Sequence, residues 1–271
     1  MLQATRQHED RETPWGGAAS GLLLLQMDMS APLLRTDDRQ RAVPEGPAYV
    51  LNLTLLRSHA LTIVLFAVFV ICLGGELASG HLDFNRTREE HGAPPLSFLA
   101  YVQTAQPWEA MLENWESEFL EMTAFILLTA VLCQKGSPES RRPGAIELVD
   151  ADPRAFAHLP EVPWPVKRGG WILAVYERSL GLMLALLFLA SWCGHALTGW
   201  RADRAEDLLA HRTPSGLIAF VTSAKFWFQT MQNWQSEFFG IAAMIWLGVY
   251  LRQRGSPASK PVHASHVEMG R

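Results

Sequence analysis

Two hexapeptides carry the residue types most able to do chemistry. Asn114–Phe119 reads N-W-E-S-E-F, and Asn233–Phe238 reads N-W-Q-S-E-F. On a helix, positions i, i+3, i+4 and i+7 share a face. Asn114, Ser117, Glu118 and Glu121 would then form one polar stripe; Asn233, Ser236 and Glu237, with Gly240, would form the matching one. A carboxylate beside an amide and a hydroxyl can hold a proton or a cation. The same three groups can also serve only as hydrogen-bond glue between helices. Glu76 and His195 stand in other apolar stretches and could pair with these carboxylates or with each other. The sequence therefore nominates Asn114, Ser117, Glu118, Asn233, Ser236, Glu237, Glu76 and His195 as a polar site. Trp108, Trp115, Trp227 and Trp234 read as anchors at a membrane surface.

The elements that must position these residues are strongly apolar. Four blocks, Leu61–Leu77, Phe119–Leu132, Leu180–Leu197 and Phe238–Leu251, are nearly free of charge. The first and third are apolar on every side, as expected of helices solvated by lipid. The second and fourth become long enough to cross a hydrocarbon core of about 30 Å when extended back to Trp108 and Trp227. Glu118 lies fifteen residues before Cys133, or ~22 Å along a helix, which places it in the outer third of a bilayer. An ionisable group at mid-span costs about 2.5–3.5 kcal/mol to insert, so it reads by default as functional. The outer position weakens that inference, and a dipole-stabilised carboxylate near a helix start is the plainer alternative.

Shifted by 119 residues, the chain matches itself without gaps. Gly75 falls on Gly194, Gly80 on Gly199, Pro95 on Pro214, Trp108 on Trp227 and Gly136-Ser137-Pro138 on Gly255-Ser256-Pro257. The series predicts a tandem duplication. Each copy would hold a span, a loop and a second span, so the copies would be parallel rather than inverted. The expected fold is all-α: a four-span transmembrane helical bundle of two tandem two-helix repeats. Its parts are a disordered N-terminal arm (1–50), repeat one (51–140), a cytoplasmic linker (141–170), repeat two (171–260) and a polar C-terminal tail (261–271). In Q-K-G-S-P and Q-R-G-S-P, the cation suits a helix C-terminus, glycine a left-handed C′ position, and proline a stop. Lysine and arginine concentrate at Arg57, Lys135, Arg141, Arg142, Lys167, Arg168, Arg252, Arg254 and Lys260. That bias puts both termini in the cytoplasm.

These residues resemble a bacterial integral-membrane family catalogued as domain of unknown function 6766. The resemblance rests on Gly75–Gly80, His91–Phe98, Trp108–Phe119 and Gln134–Ser140, and in the second copy on Gly194–Gly199, Trp227–Phe238 and Gln253–Ser259. It covers most of residues 57–260 and none of the N-terminal arm. In the second loop A-H-R-T-P-S-G replaces H-G-A-P-P-L-S. The resemblance implies a location in the bacterial inner membrane and carries no activity.

Several function classes lose support. Cys72, Cys133 and Cys193 stand apart with no C-x-x-C spacing, so neither a disulfide framework nor a zinc knuckle is indicated. His81, His91 and His211 lack the close spacing of metal ligands. The sequence has no G-x-S-x-G, H-E-x-x-H or Walker A motif and no dense basic patch for nucleic acid. No catalytic residue, metal or cofactor is expected, and an enzyme is the weakest reading. The lipid bilayer is the expected partner; a homo-oligomer stays open, as do the solute and any protein partner. The leading expectation is a multi-pass membrane protein whose duplicated motif packs helices. The alternative is a small transporter or channel using Glu118 and Glu237.

Overall fold

A computed structural model describes residues 56–142, 144 and 147–267. The chain divides into two units, 1–63 and 64–271. In the first, the described residues form a helical turn at 56–58 and the opening of the first long helix. The expectation for the arm 1–50 lies outside the described residues.

Among the described residues the secondary structure is helical throughout. Helix α1 spans Ala60–Glu90, α2 Phe98–Val102 and α3 Gln106–Val131. Two 3-10 turns, α4 (Trp164–Arg168) and α5 (Gly170–Tyr176) occupy the linker. Then come α6 (Ser179–Leu209), α7 (Leu217–Val221) and α8 (Ala224–Tyr250). Advanced by 119 residues, the bounds of α1 and α2 are those of α6 and α7, and α3 matches α8 to within one residue. Both α2 and α8 are opened by serine caps: the Ser97 hydroxyl accepts from the Ala100 amide, and the Ser223 hydroxyl from Phe226. Each cap satisfies an amide that the helix leaves without a partner.

Helices α1 and α6 are long and apolar enough to cross a membrane. Helices α3 and α8 become apolar only after Phe119 and Phe238, because polar groups fill their first halves. On α1, Phe66, Val70 and Ile71 are all exposed. In water each would forgo roughly 1.5–3 kcal/mol of burial. Such a surface suits an apolar medium.

The tightest packing joins α3 to α6. Ser191, His195, Gly199 and Ala202 form the buried face of α6, and three of these four are small. Small residues let helix backbones approach closely. A Cβ at Gly194 would come 2.9 Å from Leu112, and one at Gly199 would come 2.9 Å from Phe220 and 3.2 Å from Glu109. Helix α8 packs on α3 as well. Helix α1 leans on the same group through side chains: Phe69 meets Trp115 at 6.4 Å between ring centres, and Phe84 meets Tyr101 at 5.3 Å.

The helix stops differ from the sequence expectation. Helices α3 and α8 end at Val131 and Tyr250, because Leu132 and Leu251 are already extended. Gly136 and Gly255 are left-handed, with φ of 85° and 87°, but in the turn that follows rather than at C′. That turn is closed by serine in both places: the Gln134 amide donates to Ser140 Oγ and the Gln253 amide to Ser259 Oγ. Arg141 then donates to the free carbonyl of Ala130 and pairs with Asp150, fastening the linker to the end of α3. Arg252 similarly holds the tail, donating to the carbonyls of Ala264 and Ser265.

Candidate functional site

A polar seam runs where α3 meets α6 and α8. Glu109, Glu113 and Glu116 follow one another at i, i+4 and i+7 on α3, so one face carries all three. Each has a partner from α8. Gln229 Nε2 donates to Glu109 Oε1 at 3.3 Å, Asn233 Nδ2 to Glu113 Oε1 at 2.7 Å, and Trp234 Nε1 to Glu116 Oε1 at 3.3 Å. The acceptors climb α3 by steps of four and three residues, and the donors climb α8 from Gln229 to the adjacent pair Asn233 and Trp234.

Helix α6 completes the deepest step. His195 Nδ1 lies 2.9 Å from Glu116 Oε2, and both side chains are wholly buried. The Phe226 ring sits 5.0 Å from the imidazole and packs against Phe220. A buried carboxylate needs partners for both oxygens, and Glu116 has them in Trp234 and His195. Around the pair, His195 Nε2, Trp192 Nε1, Thr230 Oγ1 and Gln229 Oε1 are buried without a hydrogen-bond partner among the described residues.

Cavities flank the seam. One of about 250 Å3 opens among Glu109, Glu113, Asp203, Glu206, Lys225 and Gln229. At its mouth Lys225 Nζ lies 2.8 Å from Asp203 and 3.1 Å from Glu206. The other cavity, about 270 Å3, lies beyond Glu121 and is lined mainly by apolar groups such as Phe125, Leu128 and Ile241. At its head, carboxylate oxygens of Glu118, Glu121 and Glu237 lie within 4.8 Å of one another.

The sequence-nominated residues fall in several places. Glu118 and Glu237 meet, joined by Glu121. His195 and Asn233 enter the seam, with Glu116 and Glu113 as partners. Ser117 is buried but donates to the carbonyl of Asn114 in its own helix. Asn114 and Ser236 are exposed and bond their own helices at Ala110 and Asn233. Glu76 is exposed on α1. Trp108 and Trp227 are exposed, and Trp115 packs between Phe69 and Phe119. Trp234 points inward to Glu116.

Sequence reasoning passed over Glu109, Glu113, Glu116, Gln229 and Thr230. The signal for the glutamates was their common helical face. Recurrence does not mark them, because the 119-shifted counterparts of Glu113 and Glu116 are Gln232 and Gln235.

A family model described as Domain of unknown function (DUF6766) matches residues 52–271. Neither the curated proteins nor the solved structures compared with the chain include a match.

Proposed function

The chain belongs to the family of domain of unknown function 6766, whose description supplies no activity, and we propose from its own residues that it is a four-span membrane protein of two parallel repeats in which the second hexapeptide clamps helices together. The observation that carries this reading is that Asn233 and Trp234 reach across to Glu113 and Glu116. Asn114, the counterpart of Asn233 in the first copy, turns back on its own helix. The duplicated motif thus serves two ends: Asn233 and Trp234 of the second copy donate across the seam and Glu116 of the first accepts, while Asn114 and Ser117 brace α3. Helices α1, α3, α6 and α8 are the spans in this reading. The protein sits in the bacterial inner membrane with both termini in the cytoplasm.

The meeting of Glu118, Glu121 and Glu237 favours a second reading, a small transporter or channel. Carboxylates this close repel unless a proton or cation is held between them.

One set of variants separates the two in liposomes. On the clamp reading, Asn233→Ala lowers thermal stability by about 1–3 kcal/mol, because Glu113 loses its partner. Glu118→Gln with Glu237→Gln leaves stability near the parent and changes no ion flux. A cation or proton flux that the double variant abolishes, with stability intact, makes the transport reading the right one. Unchanged stability in Asn233→Ala overturns the clamp.

A further inference from the structure

We propose that the junction of α3, α6 and α8 is a proton-binding site, in which His195 takes up a proton at Nε2 through an internal water reached from the Glu109–Glu113 cavity. This inference goes beyond the clamp and rests only on local geometry.

Hydrogen-bond accounting leads to it. Glu116 accepts from Trp234 Nε1–H at one oxygen and pairs with His195 Nδ1 at the other. With the Nδ1 proton committed to Glu116, a neutral imidazole leaves Nε2 as an acceptor that needs a donor. Trp192 Nε1–H is a donor that needs an acceptor, and the Thr230 hydroxyl can be either. All three atoms are buried without a partner among the described residues. Phe226 links the three residues. The rings of His195 and Trp192 both pack on Phe226, at 5.0 and 6.4 Å, and Thr230 follows Phe226 by one turn of α8. A molecule that accepts once and donates twice satisfies the set, and water does so. Buried waters typically make about three such bonds.

The cavity wall lies next to these residues along α8 and α6. Gln229 lines the cavity and is the chain neighbour of Thr230. Glu109, also on the cavity wall, packs against Gly199, one turn of α6 from His195. The charged groups facing the imidazole are Glu109, Glu113 and Glu116 from α3. Beyond them, Asp203 and Glu206 from α6 and Lys225 from α8 stand at the mouth. The groups lining the way in are thus mostly acidic. In the step itself, an O–H bond of hydronium in the cavity breaks and the proton passes through the internal water. An N–H bond forms at Nε2, and a neutral water is left behind. The Nδ1–H bond to Glu116 stays intact, so the new positive charge lies against an existing negative one.

The test uses the full chain in lipid nanodiscs with 15N-labelled histidine, and NMR followed over a pH titration. The His195 resonances are those lost in His195→Gln. Should that variant not fold, they are those displaced in Phe226→Leu, which removes the neighbouring ring. Nε2 should pass from its unprotonated to its protonated shift as pH falls, while Nδ1 stays protonated throughout. Thr230→Val, which keeps the shape and removes the hydroxyl, should weaken proton binding roughly tenfold, the equivalent of one lost hydrogen bond near 1.4 kcal/mol. Ala202→Trp, which fills the cavity wall, should slow proton exchange at Nε2. An Nε2 signal that never moves over the whole pH range in which the protein stays folded overturns the proposal. So does a Thr230→Val protein whose His195 titrates and exchanges as the parent does. Loss of the clamp alone would appear in Asn233→Ala and leave the His195 titration in place.

Discussion

At the scale of single residues, position decides what a polar group does more than its type. Ser117, Asn114 and Ser236 are polar and lie in a helix, yet each satisfies itself on a neighbouring carbonyl. Glu116 has no such local outlet. A buried carboxylate must find donors from other helices, and it finds two. Tyr101 is the matching case outside the spans. Its ring is nearly inaccessible and packs on His81 and Phe84 of α1. Burial pushes the phenol above its ordinary value, and the charges of Glu76 and Asp83 add to the rise. A raised folded value means the folded state holds the proton more tightly. The resulting stability is fully present below the ordinary tyrosine range and is lost as pH rises through the folded value. Ultraviolet titration should therefore show a late phenolate component that is absent from Tyr101→Phe. The variant should also lose less stability in alkali than the parent. A titration without a late component would place Tyr101 in contact with water.

At the scale of elements, glycine separates helices that look alike in sequence. Gly75 and Gly194 correspond under the 119-residue shift, but nothing lies within 4 Å of a Cβ placed at Gly75, whereas one at Gly194 would meet Leu112 at 2.9 Å. Gly75→Ala should raise the melting temperature, since alanine in a helix is favoured over glycine by about 1 kcal/mol. Gly199→Ala should lower it, at a cost of about 1–3 kcal/mol, because Phe220 and Glu109 both press on that face. Gly194→Ala should fall between, as the Leu112 side chain can turn aside. Thermal melts of the three variants rank them, and a Gly199→Ala protein as stable as Gly75→Ala would mean α3 and α6 do not touch there. The same contrast shows what was legible. The apolar runs marked the long helices, since that signal depends on local pattern. The seam was harder to read. Glu116 and His195 are 79 residues apart, and their counterparts, Gln235 and Glu76, differ from them in type. Pairing across helices leaves no periodic trace, so a search for recurrence passes over the positions where the two copies diverge.

At the scale of the whole molecule, the proposed four-span reading raises the question of how many helices would cross the bilayer, and the geometry of α1 frames it. Its 31 residues extend ~46 Å, well beyond a hydrocarbon core of about 30 Å. The surplus is the polar stretch Asp83–Glu90, which should stand in water. Two topologies then differ sharply. If α1, α3, α6 and α8 all cross, Asp83 and Glu147 lie on opposite sides. If only α1 and α6 cross, α3 returns no chain to the first side, and Asp83 and Glu147 lie on the same side. The acids of α3 bear on the choice. Glu109, Glu113 and Glu116 would be costly if exposed to lipid, but each is bonded to α8 or α6, and the half from Phe119 to Val131 is free of charge after Glu121. The four-span arrangement is therefore affordable. Cysteine placed at Asp83 or at Glu147, with Cys72, Cys133 and Cys193 replaced, settles it when intact cells are treated with an impermeant thiol reagent. The cation bias predicts labelling at Asp83 and protection at Glu147 until the membrane is opened. Protection at Asp83 with labelling at Glu147 would keep four spans and reverse the orientation. Labelling at both would leave α3 outside the bilayer, and the seam would then be the water-facing core of a protein anchored by α1 and α6.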